Sequence, residues 1–306
     1  MEQSLQKALR KAKRKHVMMV IMVSFVVMLV ALPIFYKVFY TTSDYLAAKG
    51  SEELQDTLFL WHAITEPNVQ IASQITQSSI FGGTVVTNRS KNINGYVVPW
   101  STLTSTYGWK RFNINYDELE PNFYLSDKSY YMYDKQTKNK VATFFHPDLQ
   151  TYFTKIPNDI AAVSSMENYV AEMAISFDRP YTVTEIKSMI PENLNVVWLY
   201  VASAVQNEQT DPAGVPVYGF GAYPLSEKAY VDFMQNLAKY NAQQNDEVIQ
   251  AFLNDNKNTT LTDLPVLGVM LTGQTKNFAQ LEGAAFVKAA SAGATAPLVP
   301  YIEPEK

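Results

Sequence analysis

The 306-residue chain is 47 % apolar and 18 % charged, a balance that excludes collagen-like, coiled-coil and wholly disordered classes. The absence of cysteine removes disulfides, thiolate nucleophiles and cysteine-type zinc sites. The net charge of −4 is uneven: Lys7, Arg10, Lys11, Lys13, Arg14, Lys15 and Lys37 against Glu2 make residues 1–39 +6, which leaves −10 for the rest, and a basic tip on an acidic body argues against a nucleic-acid partner.

Residues 1–16 are a basic stub. From Val17 to Tyr36 there is no charge and a single proline, Pro33. A helix of that length, at about 1.5 Å per residue, spans about 30 Å, the hydrocarbon thickness of a bilayer. A secretory signal is shorter and ends in a small-residue cleavage site, whereas Ala31-Leu32-Pro33 runs into Ile34, Phe35 and Tyr36. A buried core helix would need a polar face, and here only Ser24 is polar. Residues 17–39 are therefore expected to be an uncleaved signal anchor, a transmembrane helix kinked at low cost by Pro33. Lysines and arginines concentrate before the span, which places the stub in the cytoplasm and residues 40–306 outside. Phe35, Tyr36, Phe39 and Tyr40 form an aromatic belt at the outer interface. Lys11, Lys13, Arg14 and Lys15 are the residues expected to meet anionic lipid or an acidic helix of a partner, beyond serving as a topology signal.

Residues 40–155 read as a helical lead-in followed by a β-rich region. The helix over 43–65 starts at Ser43 or Asp44 and is expected to break at Gly50, where Ser51 caps it again. The stretch "VQIASQITQSSIFGGTVVTNRSKNINGYVVPW" has β-branched residues with Gly82-Gly83 and Asn94-Gly95, the signs of strands and tight turns. "SYYMYDKQTKNKVATFFHP" predicts a hairpin with strands near Tyr130–Asp134 and Lys140–Phe145.

A second unit, 156–306, alternates strands and helices. "ENYVAEMAISF" is a strand ending at Phe177, and "TVTEIKSMI" a short helix capped by Thr182 or Thr184 and ended by Pro191. "NVVWLYVASA" is apolar on both faces and so interior to a sheet. After a loop with Asp211-Pro212 and the segment "VYGFGAYP", Ser226 caps a helix whose buried face should hold Val231, Met234, Leu237 and Ala238. A helix over Asn245–Leu253, a strand "LPVLGVMLTGQ" and a helix "TKNFAQLEG" closed by Gly283 follow; the tail "FVKAASAGATAPLVPYI" reads as short-turned and apolar. The fold class is α+β: a single transmembrane helix, an extracytoplasmic β-rich region, then an α/β sandwich with helices on one face of a sheet.

Nothing in the sequence carries chemistry. His62 and His146 read as packing or surface residues, and there is no HExxH or GxSxG spacing. The sole Ser-x-x-Lys, Ser4 to Lys7, lies on the cytoplasmic side of the span. Gly219-Phe220-Gly221 lacks the rest of a phosphate loop, and the alternating Asn254, Asn256 and Asn258 lack the glycine and glutamate of a calcium loop. No catalytic residue, cofactor or metal is expected, and the chain reads as a non-enzyme.

Two sets of segments resemble the sigma factor regulator family. "ALRKAKRKHVMMVIMVSFVVMLVALP" is similar to the start of its N-terminal domain. "EMAISFDRPYTVTEIKSMIPENLNVVWLYV", "VYGFGAYP", "VLGVMLTGQTKNFAQL" and "AASAGATA" resemble, in order, its C-terminal domain. The resemblance implies a membrane-anchored negative regulator of an extracytoplasmic-function sigma factor in Gram-positive bacteria, sensing envelope stress. Members with a folded anti-sigma region carry it before the span, where this chain has a 16-residue stub, about 24 Å as a helix. A partner anti-sigma protein in the membrane is therefore expected to withhold the sigma factor. Outward binding of an unknown ligand or protein is expected near Asp211, Tyr218 and Phe220. The alternative is an envelope-binding or structural protein with no transcriptional role.

Overall fold

A computed structural model describes residues 2–116, 119–124, 128–149, 154–205 and 216–306. It opens on α1 (Glu2–Thr65), one helix of 64 residues that passes through Pro33 without a break. Residues 17–36 of α1 are exposed, and α1 is long and apolar enough to cross a membrane. The expected break at Gly50 does not occur. Gly50 is a site of close approach: a Cβ there would stand 2.1 Å from the carbonyl oxygen of Gly108. The residue that looked like a helix stop is thus where a strand end presses on the helix, and the Ser43, Asp44 and Ser51 caps are not used.

Strands β1 (Val69–Ser79), β2 (Gly82–Ile93), β3 (Tyr96–Gly108) and β4 (Phe112–Ile114) form an antiparallel sheet in sequence order. Asn94 (φ 56°) and Gly95 (φ 92°) make the tight β2–β3 turn that their sequence announces. The outer half of α1 packs on this sheet through Ala47 and Leu54 against Val85 and Tyr107. Strands β5 (Leu119–Tyr124), β6 (Ser129–Asp134) and β7 (Lys140–Val141) make a small sheet that contains the expected hairpin, its second arm shorter than its sequence suggests.

After the short helix α2 (Ile160–Ser164) come β8 (Tyr169–Thr182), α3 (Val183–Met189), β9 (Asn195–Ala202), β10 (Tyr218–Gly221), α4 (Glu227–Gln244), α5 (Glu247–Asp255), β11 (Pro265–Gln274), a 3-10 helix (Thr275–Leu281) and β12 (Val287–Pro297). The five strands lie in the order β10-β9-β11-β8-β12, all neighbours antiparallel, with β9 interior as expected. Thr182 caps α3 in a reciprocal box with Glu185, and Ser226 caps α4. The buried face of α4 is Tyr230, Phe233 and Leu237; of the four residues expected there, Leu237 alone is fully buried and Val231 is exposed. Aromatic rings one turn apart meet the sheet and rotate the helix away from the aliphatic stripe.

The tail read as short-turned is the long edge strand β12. Its small residues have weak strand propensity, but the neighbouring strand demands them: a Cβ on Gly293 would come within 2.5 Å of Glu172 Oε1. One face of the five-stranded sheet is covered by the helices, through Phe177, Leu199, Phe233, Phe252 and Phe278. The other is covered by the ends of β2 and β3 (Ile93, Tyr96, Trp100) and by Phe144, so the molecule outside α1 is layered helix, sheet, sheet.

Candidate functional site

The basic residues of the stub project freely from the first turns of α1; Lys11, Lys13, Arg14 and Lys15 are all exposed. At 100° per residue, Lys7, Lys11, Arg14 and Lys15 cluster on one face, and Arg10 extends it towards Lys13. The expected contact residues Lys11, Lys13, Arg14 and Lys15 thus lie along one broad basic arc, with Lys13 at its edge beside Arg10.

Of the expected outer surface, Asp211 lies outside the described residues. Tyr218 and Phe220 are core side chains, 2 % and 3 % exposed, and offer no binding surface. Tyr-Gly-Phe-Gly is strand β10, and its alternation gives it one aromatic face. Phe220 stacks on Phe233 with ring centroids 4.8 Å apart. The Tyr218 hydroxyl donates to Asp246 Oδ2 at 2.8 Å, and burial followed by that carboxylate raises the phenol well above its ordinary range. Gly219 faces the opposite side, where a Cβ would meet the Leu199 carbonyl at 2.0 Å and the Trp198 ring at 2.4 Å.

Polar chemistry collects instead on the sheet face away from the helices. Thr272 of β11 lies directly across from Glu172 of β8 on one side and Asn195 of β9 on the other, so three polar residues form a row across three strands. Glu172 has no exposed surface. Its Oε1 accepts from Lys91 Nζ at 2.5 Å and from the Ala294 amide at 3.1 Å, and its Oε2 accepts from Asn68 Nδ2 at 3.0 Å. Lys91 also lies over the Trp100 ring, 4.1 Å from its centroid. One carboxylate thus ties β2, the α1–β1 turn and β12 together, with its charge matched as a buried ion requires.

Beside this row is a cavity of about 220 Å³, lined among others by His62 of α1, Glu66 just past its end, Asn68, Asn92, Asn94, Trp198, Thr272 and Glu305. His62 is 8 % exposed, and neither ring nitrogen has a hydrogen-bond partner. Burial, then the charge of Arg89, lower its pKa to about 3, so the imidazole is neutral at pH 7. Burial also raises the Glu66 carboxyl above its ordinary value, against the opposing pull of Arg89 and Lys91. Arg89 Nη1 stands 3.7 Å from Glu66 Oε2, and its Nε donates to the Ser101 carbonyl at 2.7 Å. The Thr272 hydroxyl is likewise buried without a partner. Neutral donors and acceptors beside two carboxyls suit small uncharged hydrogen-bonding molecules, water included, and disfavour anions. Among the described residues, no group of three or more histidines and acids is placed to hold a metal.

Sequence reasoning passed over Glu172, Lys91 and Glu66, and read His62 as a packing or surface residue. The usable signal was Glu172 itself: an acid in the middle of the apolar strand "YVAEMAISF" must find a buried partner. What could not be read was which of the chain's lysines and arginines supplies it.

Residues 6–98 match the family model described as sigma factor regulator N-terminal, and residues 163–294 match the one described as sigma factor regulator C-terminal. No curated protein and no solved structure matches the chain. The Lys91–Glu172 ion pair joins the two matched regions, and the cavity takes His62 and Glu66 from the first and Trp198 and Thr272 from the second.

Proposed function

Because this chain belongs to the sigma factor regulator family, we propose that it is a single-pass membrane sensor that negatively controls an extracytoplasmic-function sigma factor through a membrane anti-sigma partner. The observation that carries the reading is the continuity of α1. One helix, about 96 Å long at 1.5 Å per residue, runs from the basic face, through the exposed apolar segment, to His62 in its last turn, which borders the polar cavity. A change at the cavity that favours one setting of the outer end of α1 favours the corresponding setting of its other end.

In this reading the stub is cytoplasmic and the sheets are outside, the orientation favoured by the basic residues before the span. Lys11, Lys13, Arg14 and Lys15 face an acidic helix of the partner or anionic lipid, and the cell is a Gram-positive one answering envelope stress. The outer part binds an external ligand or protein and acts without catalysis, and its polar cavity offers hydrogen-bonding groups for that binding. A transcriptome of a clean deletion strain tests the proposal. One promoter class, including the protein's own operon, should rise sharply; unchanged transcripts in resting and envelope-stressed cells would leave an envelope-binding role in its place.

A further inference from the structure

Two turns meet at one end of the four-stranded sheet, Ile80-Phe81 between β1 and β2 and Trp109-Lys110-Arg111 between β3 and β4. Trp109 Nε1 donates to the Ile80 carbonyl at 2.8 Å and ties the turns to each other. Phe81 is 61 % exposed and Trp109 37 %, a poor use of two large aromatics at the tip of a water-facing hairpin. Their ring centroids are 5.8 Å apart, and they lie 6.3 Å and 6.2 Å from that of Phe39 on α1. Phe39 closes the apolar segment 17–39, so the turns stand at the level where that segment ends. Lys110 and Arg111 beside them are exposed and form no ion pair among the described residues. The packing of Gly50 on Gly108 fixes β3 along α1, so the turns cannot slide up the helix.

Aromatic rings at the end of an apolar span, flanked by cations, fit the lipid–water interface: the rings sit among headgroups and the cations meet phosphate. We propose that these paired turns are a second membrane contact, in which Phe81 and Trp109 enter the interface beside α1 while Lys110 and Arg111 face anionic phospholipid headgroups. The inference rests on the reading of α1 as a membrane span. Its consequence is that the outer sheet, already packed on α1, meets the bilayer at a second point, so α1 and the sheet cannot tilt together in the membrane as freely as a single span would allow.

The test uses the full chain in nanodiscs of phosphatidylcholine and phosphatidylglycerol, with and without lipids brominated at shallow acyl positions. Trp100 and Trp198 are buried, and Trp61 lies 22 residues beyond Phe39, about 33 Å up the helix, so Trp109 is the reporter. Brominated lipid should quench part of the wild-type tryptophan emission, and Trp109→Phe should abolish that quenching. The Lys110→Glu/Arg111→Glu variant should quench less in discs with phosphatidylglycerol than the wild type does; equal quenching would overturn the headgroup contact. Quenching that is absent from wild-type chain co-purifying with the discs, or unchanged by Trp109→Phe, would overturn the interfacial contact while leaving the span standing. A chain that fails to enter discs would overturn both.

Discussion

The two faces of the five-stranded sheet are built on different terms. Under the helices, Phe177, Leu199, Phe233 and Phe252 meet in an apolar layer, and Ser226, Thr182 and Asp246 cap α4, α3 and α5 at its edges. Under the four-stranded sheet, the row Asn195, Thr272 and Glu172 lies in mid-strand, and its one charge is met by a lysine from another sheet. Apolar packing holds layers together with little say over which residue faces which. A buried ion pair fixes a single register, because a shifted sheet would leave Glu172 unpaired. The helical face supplies stability, and the polar face specifies how α1 and its sheet sit on the rest.

The largest effect should come from breaking the polar face. Glu172→Ala or Lys91→Ala strands a buried charge and should lower stability by about 3–5 kcal/mol, read from denaturant unfolding of the full chain in detergent. Lys91→Met/Glu172→Leu together should cost less than either single change; an additive loss would show that the pair is not a unit.

Acid should act on this face next. His62 is neutral in the fold with a pKa of about 3 against 6.5 when free, so its contribution is complete above pH 6.5 and is lost as pH falls towards 3. The loss by pH 5 should be about 2 kcal/mol. Glu66 works the other way, because its raised carboxyl favours the fold at low pH and that contribution is lost as pH rises through the folded value. The difference between wild type and His62→Phe isolates the histidine. A variant with the wild-type pH profile between 6.5 and 5 would remove His62 from the account.

On the helical face the effects should be smaller and local. Asp246 accepts from the amides of Val248 and Ile249 and from Tyr218, so Asp246→Ala should cost about 1–2 kcal/mol, with much of it restored by Asn. Phe233→Leu, an apolar exchange in an apolar layer, should cost less than about 1.5 kcal/mol. A loss from Phe233→Leu that equals the loss from Glu172→Ala would break the distinction between the two faces.

The legible parts of the fold were those whose cause lies within a few residues. The apolar run of α1, the Asn94-Gly95 turn, the Thr182 and Ser226 caps and the strands β9 and β11 follow from local periodicity and capping chemistry. Gly50 misled because a helical glycine usually marks a weak point, while here it makes room for Gly108. Tyr218 and Phe220 misled because a glycine-rich aromatic stretch looks exposed until α4 is laid across it. The stub was legible as a charged segment, and helix geometry sets its cations along one broad arc of α1.

By itself the sequence determined an apolar helix long enough for a bilayer, an α+β order of elements and a family resemblance that the matched regions bear out. Each of these depends on residues close together in the chain, where spacing stands in for geometry. Only the tertiary structure decided that Lys91 answers Glu172 across 81 residues, that His62 and Glu66 at the end of α1 border a cavity with Thr272, and that Phe81 and Trp109 come to rest on Phe39. Those pairings are set by how layers stack, and burial makes each group depend on a partner that no local pattern names.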